Sequence, residues 1–117
     1  MANGDPPVLV YATFPDLAAA ESMAVHLVTR GLCACVNIVP GMVSIYRWQG
    51  KVEKANEVVT IVKTRGSLAE AIIMAIKAQH PYELPAMLVL PVEGGHAPYI
   101  DWILANSMSA TPANAQD

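Results

Sequence analysis

The sequence predicts an α+β sandwich in which two β-α-β units are joined by a long hairpin and the helices cover one face of the sheet. Two observations carry this reading. Apolar, β-rich runs alternate with segments of helical spacing in the order β-α-β, β-α-β, then α. A short glycine-bearing connector, Gln49-Gly50-Lys51, separates two long strand-like runs, which is the signature of a hairpin.

Residues 8–14, VLVYATF, are continuously apolar and read as a central strand. Pro15-Asp16 opens a helix in which Leu17, Ala20, Ala24, Leu27 and Val28 share a stripe, and Gly31 after Arg30 is its stop signal. His26 falls off that stripe and reads as solvent-facing. Cys33–Trp48 and Val52–Thr64 are the hairpin arms, and Pro40-Gly41 in the first arm predicts a bulge rather than an end. Ser67-Leu-Ala-Glu70 has the form of a capping box and starts a second helix, with Leu68, Ile72, Ala75 and Ile76 on one face. That helix must stop before Pro81, which leaves His80 at its C-terminal end. Met87–Val92 is a further strand. Tyr99–Ser107 is a short C-terminal helix packed by Ile100, Trp102, Ile103 and Leu104, with Trp102 expected in the core. Two β-α-β halves in this order make the ferredoxin-like sandwich. At 117 residues the chain is one domain, placed at 1–107. Residues 108–117, MSATPANAQD, are small and polar and are expected to form a flexible tail.

Hydrophobic residues make up 54% of the chain and charged residues only 15%, with mean hydropathy +0.37. A small domain has too much surface to need so few polar groups, so part of the apolar excess is expected to face other copies. The hairpin points the same way. Arms of about 13 residues would run to about 43 Å at strand rise, against a radius of gyration of about 13 Å for a compact domain of this length. An apolar hairpin that projects so far exposes open edges unless another chain covers them.

Net charge is −3 and no basic run occurs, which argues against nucleic acid. No apolar run reaches the roughly 20 residues that cross a bilayer. The N-terminal MANGDPP lacks the features of a signal peptide. Two cysteines, Cys33 and Cys35, are too few for a disulfide scaffold. As strand neighbours they would share one face about 6.6 Å apart, near the upper limit for a disulfide. Reduced thiols in a cytoplasm are expected. There is no G-x-S-x-G, H-E-x-x-H or C-x-x-C, so no catalytic residues are assigned and an enzyme is not expected.

The stretches CACVNIVPGMVSIYRWQGKVE, VKT, HPYELP and YIDWI, in this order and spacing, resemble the CutA divalent-cation-tolerance proteins over about residues 8–107. The resemblance implies a ferredoxin-like fold with a short C-terminal helix. It also implies a homotrimer built by long hairpins, similar to the PII signalling proteins, with small effectors held in clefts between subunits. It associates the chain with copper and other divalent metals and with no established reaction.

Cys35 stands where the family pattern has its cysteine, and Cys33 would add a second soft sulfur. Buried free cysteines otherwise behave as small hydrophobes. His80 is either an imidazole ligand beside a rigid turn or a helix end decorated by a histidine. Tyr82 and Glu83 could orient it, line a cleft or simply form the turn. Lys63, in an apolar strand, either reaches solvent or awaits an anion. Tyr46 and Trp48, two apart on one strand, suit a subunit contact or a cleft wall. Where the family has ligands proposed for metal, this chain has Ala12, Gln79 and Ala86, and Gln49 replaces a usual acidic residue. Any metal, copper or another divalent cation, would therefore have to use His80 or the Cys33/Cys35 pair. Three roles are expected to compete. These are a metal-responsive trimer, a sensor binding an anion or nucleotide through Lys63, His80 and neighbours, and a stable trimer anchoring a client protein.

Overall fold

A computed structural model describes residues 5–108; the C-terminal stretch expected to be flexible lies outside them beyond Met108. The elements are β1 (Pro7–Phe14), α1 (Leu17–Thr29), β2 (Cys35–Trp48), β3 (Lys51–Arg65), α2 (Ala69–Gln79), β4 (Met87–Pro91) and α3 (Ala97–Ala105). The sheet order is β2-β3-β1-β4, and every neighbouring pair is antiparallel. This is the expected ferredoxin-like sandwich, with its long hairpin and short last helix.

Alternation along the strands divides the sheet. Val8, Val10, Ala12 and Phe14 of β1 and Val58 and Val62 of β3 face the helices and pack with Ala20, Met23, Leu27, Ile72 and Ile76. Buried Thr60 and Thr64 fit among them because each hydroxyl donates to a carbonyl, of Ala12 at 3.0 Å and Leu32 at 2.7 Å. The opposite face carries Leu9, Tyr11, Thr13, Glu57, Val59, Ile61 and Lys63. Part of it is covered by α3, whose Leu104 carbonyl, with that of Ser107 just past the helix end, accepts from the Arg65 guanidinium.

The ends of α1 follow the sequence signals. Asp16 Oδ1 accepts the Ala19 amide at 2.8 Å. Gly31, at φ +76°, lets the chain close a Schellman motif, with Gly31 N–H on Val28 and Leu32 N–H on Leu27. The capping box at Ser67 does not form. Gly66–Leu68 is a 3₁₀ turn, and the Ser67 amide and hydroxyl both donate to Asp5, at 2.9 and 3.0 Å. Pairing of Pro7 with Arg65 brings Asp5 there, and Arg65 adds an ion pair at 2.8 Å. A carboxylate already held by a cation takes the Ser67 amide that Glu70 was expected to accept, and the hydroxyl with it.

The Ser67 amide first, then Arg65, holds the Asp5 carboxyl below its ordinary 3.8. A depressed folded value contributes stability above the unfolded pKa, which is lost as pH falls through the folded value. Asp5→Ala is therefore expected to cost about 1 kcal/mol at neutral pH, the worth of a helix cap. The cost should shrink as pH falls through the folded value, which lies below 3.8, because a protonated carboxyl no longer pairs with Arg65. Urea denaturation of both proteins across that range checks it.

The hairpin turns on Gln49-Gly50 alone, both with positive φ, +52° and +82°, as a type I′ turn requires. Between Val39 and Met42 the register slips, with Pro40 and a left-handed Gly41 (φ +84°) forming the expected bulge. The bulge exchanges the faces of β2. Before it, Cys35, Asn37 and Val39 lie on the open face; after it, Met42, Ser44, Tyr46 and Trp48 do. Val43, Ile45 and Val52 are left on the helix side beyond the helices, with Ile45 70% and Val52 68% exposed. The radius of gyration is 15.0 Å and the long axis 45 Å, against about 13 Å expected for a compact chain of this length.

Two further expectations are corrected. Trp102 is not in the core; it is 44% exposed and stacks on Tyr99 at 5.5 Å, while Ile103 is the buried residue of α3. His26 is half-buried rather than fully solvent-facing.

Candidate functional site

On the open face, along the outer arm of the hairpin from its bulge toward its tip, three strands and the turn after α2 line a cleft of about 610 Å³. β1 contributes Tyr11 and Thr13, β2 contributes Ser44, Tyr46 and Trp48, and β3 contributes Glu57. The turn adds Tyr82, Glu83 and Leu84. Glu57 is the centre of the polar network. Its carboxylate accepts the Ser44 hydroxyl at 2.6 Å and the Thr13 hydroxyl at 3.3 Å. Burial first, and then the Glu57 carboxylate beside it, pushes the Tyr82 phenol up to about 12, so it stays neutral at physiological pH.

His80 positions this turn. Its Nδ1 accepts the Tyr82 amide at 3.1 Å, so Nε2 carries the proton donated to the Thr13 carbonyl at 2.7 Å. The ring packs against Phe14 at 4.9 Å and Tyr82 at 4.7 Å. Because Pro81 forces His80 into an extended conformation, φ −78° and ψ 137°, α2 ends there and the imidazole swings onto β1. Both nitrogens are engaged, and the ring acts as a clamp between β1 and the turn.

The cysteines separate. Cys33 precedes β2 instead of lying on it, and is buried in the core, where desolvation pushes its thiol up to about 12. Cys35 opens β2 on the open face, opposite Lys63. His80 bonds to Thr13, which pairs with Val59, so Cys35 lies four residues further along β3, about 13 Å at strand rise. The residues therefore do not fit a copper centre within one chain. A protonated core thiol, a distant thiol and a doubly bonded imidazole do not converge, and among the described residues no three His, Cys, Asp or Glu side chains do. Lys63 also lies outside the cleft. Its ammonium donates to the Tyr99 hydroxyl at 3.0 Å, which raises its pKa, and it lies 5.1 Å from the Tyr99 ring centroid.

Of the residues singled out in the sequence, Tyr46, Trp48, Tyr82 and Glu83 meet at one cleft, and His80 braces it. Glu57, Thr13 and Ser44 were not singled out as its centre. The one available signal was a glutamate at the head of an apolar strand, VVTIV, preceded by the face-switching Pro40-Gly41.

The class so defined is a ferredoxin-like α+β protein with a projecting hairpin and a ligand-sized cleft. The family model for the CutA1 divalent ion tolerance protein matches residues 8–106, and the chain belongs to that family. It is 41% identical over 99 residues to the divalent-cation tolerance protein CutA of Pectobacterium atrosepticum, covering 85% of this chain and 90% of that one. It is 42% identical over 98 residues to the chloroplastic protein CutA 1 of Oryza sativa, covering 84% of this chain but 55% of the rice protein. The chain thus spans little more than half the length of the plant relatives it matches. The crystal structure of CutA1 from Oryza sativa superposes with TM-score 0.84 at 42% identity, over 91% of this chain and 96% of that one. The divalent cation tolerance protein from Thermus thermophilus gives TM-score 0.84 at 40% identity, over 87% of this chain and 99% of that one. The family is named for divalent-cation tolerance and not for a reaction. Relatives are named chloroplastic and, in Archaeoglobus fulgidus, periplasmic. Among the described residues no helix is long and apolar enough to cross a membrane.

Proposed function

We propose that this chain serves divalent-cation tolerance as a non-enzymatic homotrimer. The projecting hairpin carries the reading. It exposes Val43, Ile45 and Val52, and the outer strands β2 and β4 each leave one edge unpaired. Other copies would cover both the apolar side chains and the edges. The number three is what the family resemblance implies. Light scattering on tag-free protein at micromolar concentration is expected to give three times the 12.5 kDa chain mass. A monomeric mass overturns the reading.

A second reading rests on the cleft, whose volume of about 610 Å³ is in the small-molecule range. As a sensor, the protein would take its effector at Glu57. An anion or nucleotide suits this cleft poorly. It would meet Glu57 and Glu83, while Lys63, the lysine expected to hold it, is engaged with Tyr99.

A further inference from the structure

We propose that the cleft around Glu57 binds a small organic ammonium ion, through its carboxylate and the aromatic side chains of Tyr11, Tyr46 and Tyr82. The proposal rests on the reading of this cleft as an effector site and names the class of effector.

Charge is the first argument. The Glu57 carboxylate meets hydroxyls alone, accepting from Ser44 and Thr13 with the Tyr82 phenol beside it. Hydroxyls orient a carboxylate without neutralising it. Among the described residues the ion pair is Arg65 with Asp5, and Glu57 has none. Arg47 stands at the cleft wall without pairing to it, and Glu83 adds a second negative charge, so the cleft keeps an excess of one. Within one chain this partly enclosed carboxylate is uncompensated, which favours a cation over an anion.

Composition is the second. Three of the chain's four tyrosines and one of its two tryptophans line this cleft. Aromatic faces attract organic cations, and attract them more strongly when water is excluded. Tyr82 remains an uncharged phenol, so it adds a ring without a competing charge.

Size and ligand chemistry separate an organic cation from a metal. Tyrosine and tryptophan rings do not coordinate a divalent ion, and no third carboxylate, histidine or cysteine joins Glu57 and Glu83 among the described residues. The space, about 610 Å³, exceeds a hydrated ion and suits a molecule of several heavy atoms.

The test compares choline with 3,3-dimethyl-1-butanol, the same shape with carbon in place of the charged nitrogen. Calorimetry is run on the intact protein, wild type, Glu57→Gln and Tyr46→Leu. Choline is expected to bind saturably and at least about tenfold more tightly than the neutral isostere. Glu57→Gln is expected to weaken choline by at least about tenfold and erase the preference. Tyr46→Leu, on the half-exposed hairpin, should weaken choline several-fold with the melting temperature unchanged. Equal binding of both probes overturns the cation class and leaves the effector site standing. No binding of either probe overturns both. A changed light-scattering mass in Glu57→Gln, with choline silent, would assign the carboxylate to a contact between copies and overturn the proposal.

Discussion

Replacing Ile45 with aspartate is expected to turn the assembled protein into a 12.5 kDa monomer at micromolar concentration. Ile45 is 70% exposed in the single chain, so the substitution leaves the chain's own core intact. Its paired partner across the hairpin is Lys54, and Val43 and Val52 extend the same apolar side. If other copies cover this side, isoleucine contributes about 2 kcal/mol of burial per copy. An aspartate there adds a desolvation cost that an ion pair with Lys54 offsets only in part. Both penalties recur in every copy of a symmetric assembly. Light scattering reads the mass, and far-ultraviolet circular dichroism confirms that the monomer keeps its strands. An unchanged mass would show that the hairpin's apolar side is not the contact.

His80→Ala is expected to destabilise the fold by about 3 kcal/mol, summing two hydrogen bonds with lost aromatic packing. It is expected to leave copper affinity unchanged. The variant removes the donor to the Thr13 carbonyl and the acceptor for the Tyr82 amide. Its ring is also the link between Phe14 and Tyr82. A metal-ligand role predicts the reverse, a loss of stoichiometric copper binding with little change in stability. Urea denaturation at fixed protein concentration, beside copper calorimetry on reduced protein, separates the two outcomes. Because Tyr82 and Glu83 hang from this clamp, the variant should also loosen the cleft.

Much of the architecture was legible because its signals are local. Gly31 ends α1 through a left-handed residue, Pro81 stops α2 one residue ahead, and Pro40-Gly41 marks the bulge. Local signals also misled where a distant residue intervened. Ser67 has the form of a cap, but Asp5, 62 positions away in sequence, takes its donors. Cys33 and Cys35 look like strand neighbours, yet β2 begins only at Cys35, and Cys33 drops into the core. Trp102 has the size of a core residue, but Ile103 occupies the inward position of α3.

The sequence by itself determined the order of strands and helices, the family, and the presence of Tyr46, Trp48, Tyr82 and Glu83 as candidates. Those follow from periodicity, turn chemistry and motif spacing, all of which act over a few residues. Only the tertiary structure decided that Glu57 is the centre, since Thr13 reaches it across 44 positions and Ser44 across 13. It also decided that His80 is a clamp, because its partner is the carbonyl of Thr13, 67 residues away. The physical reason is strand register. A side chain's face depends on which residue lies opposite, and a bulge of one extra residue exchanges every face beyond it.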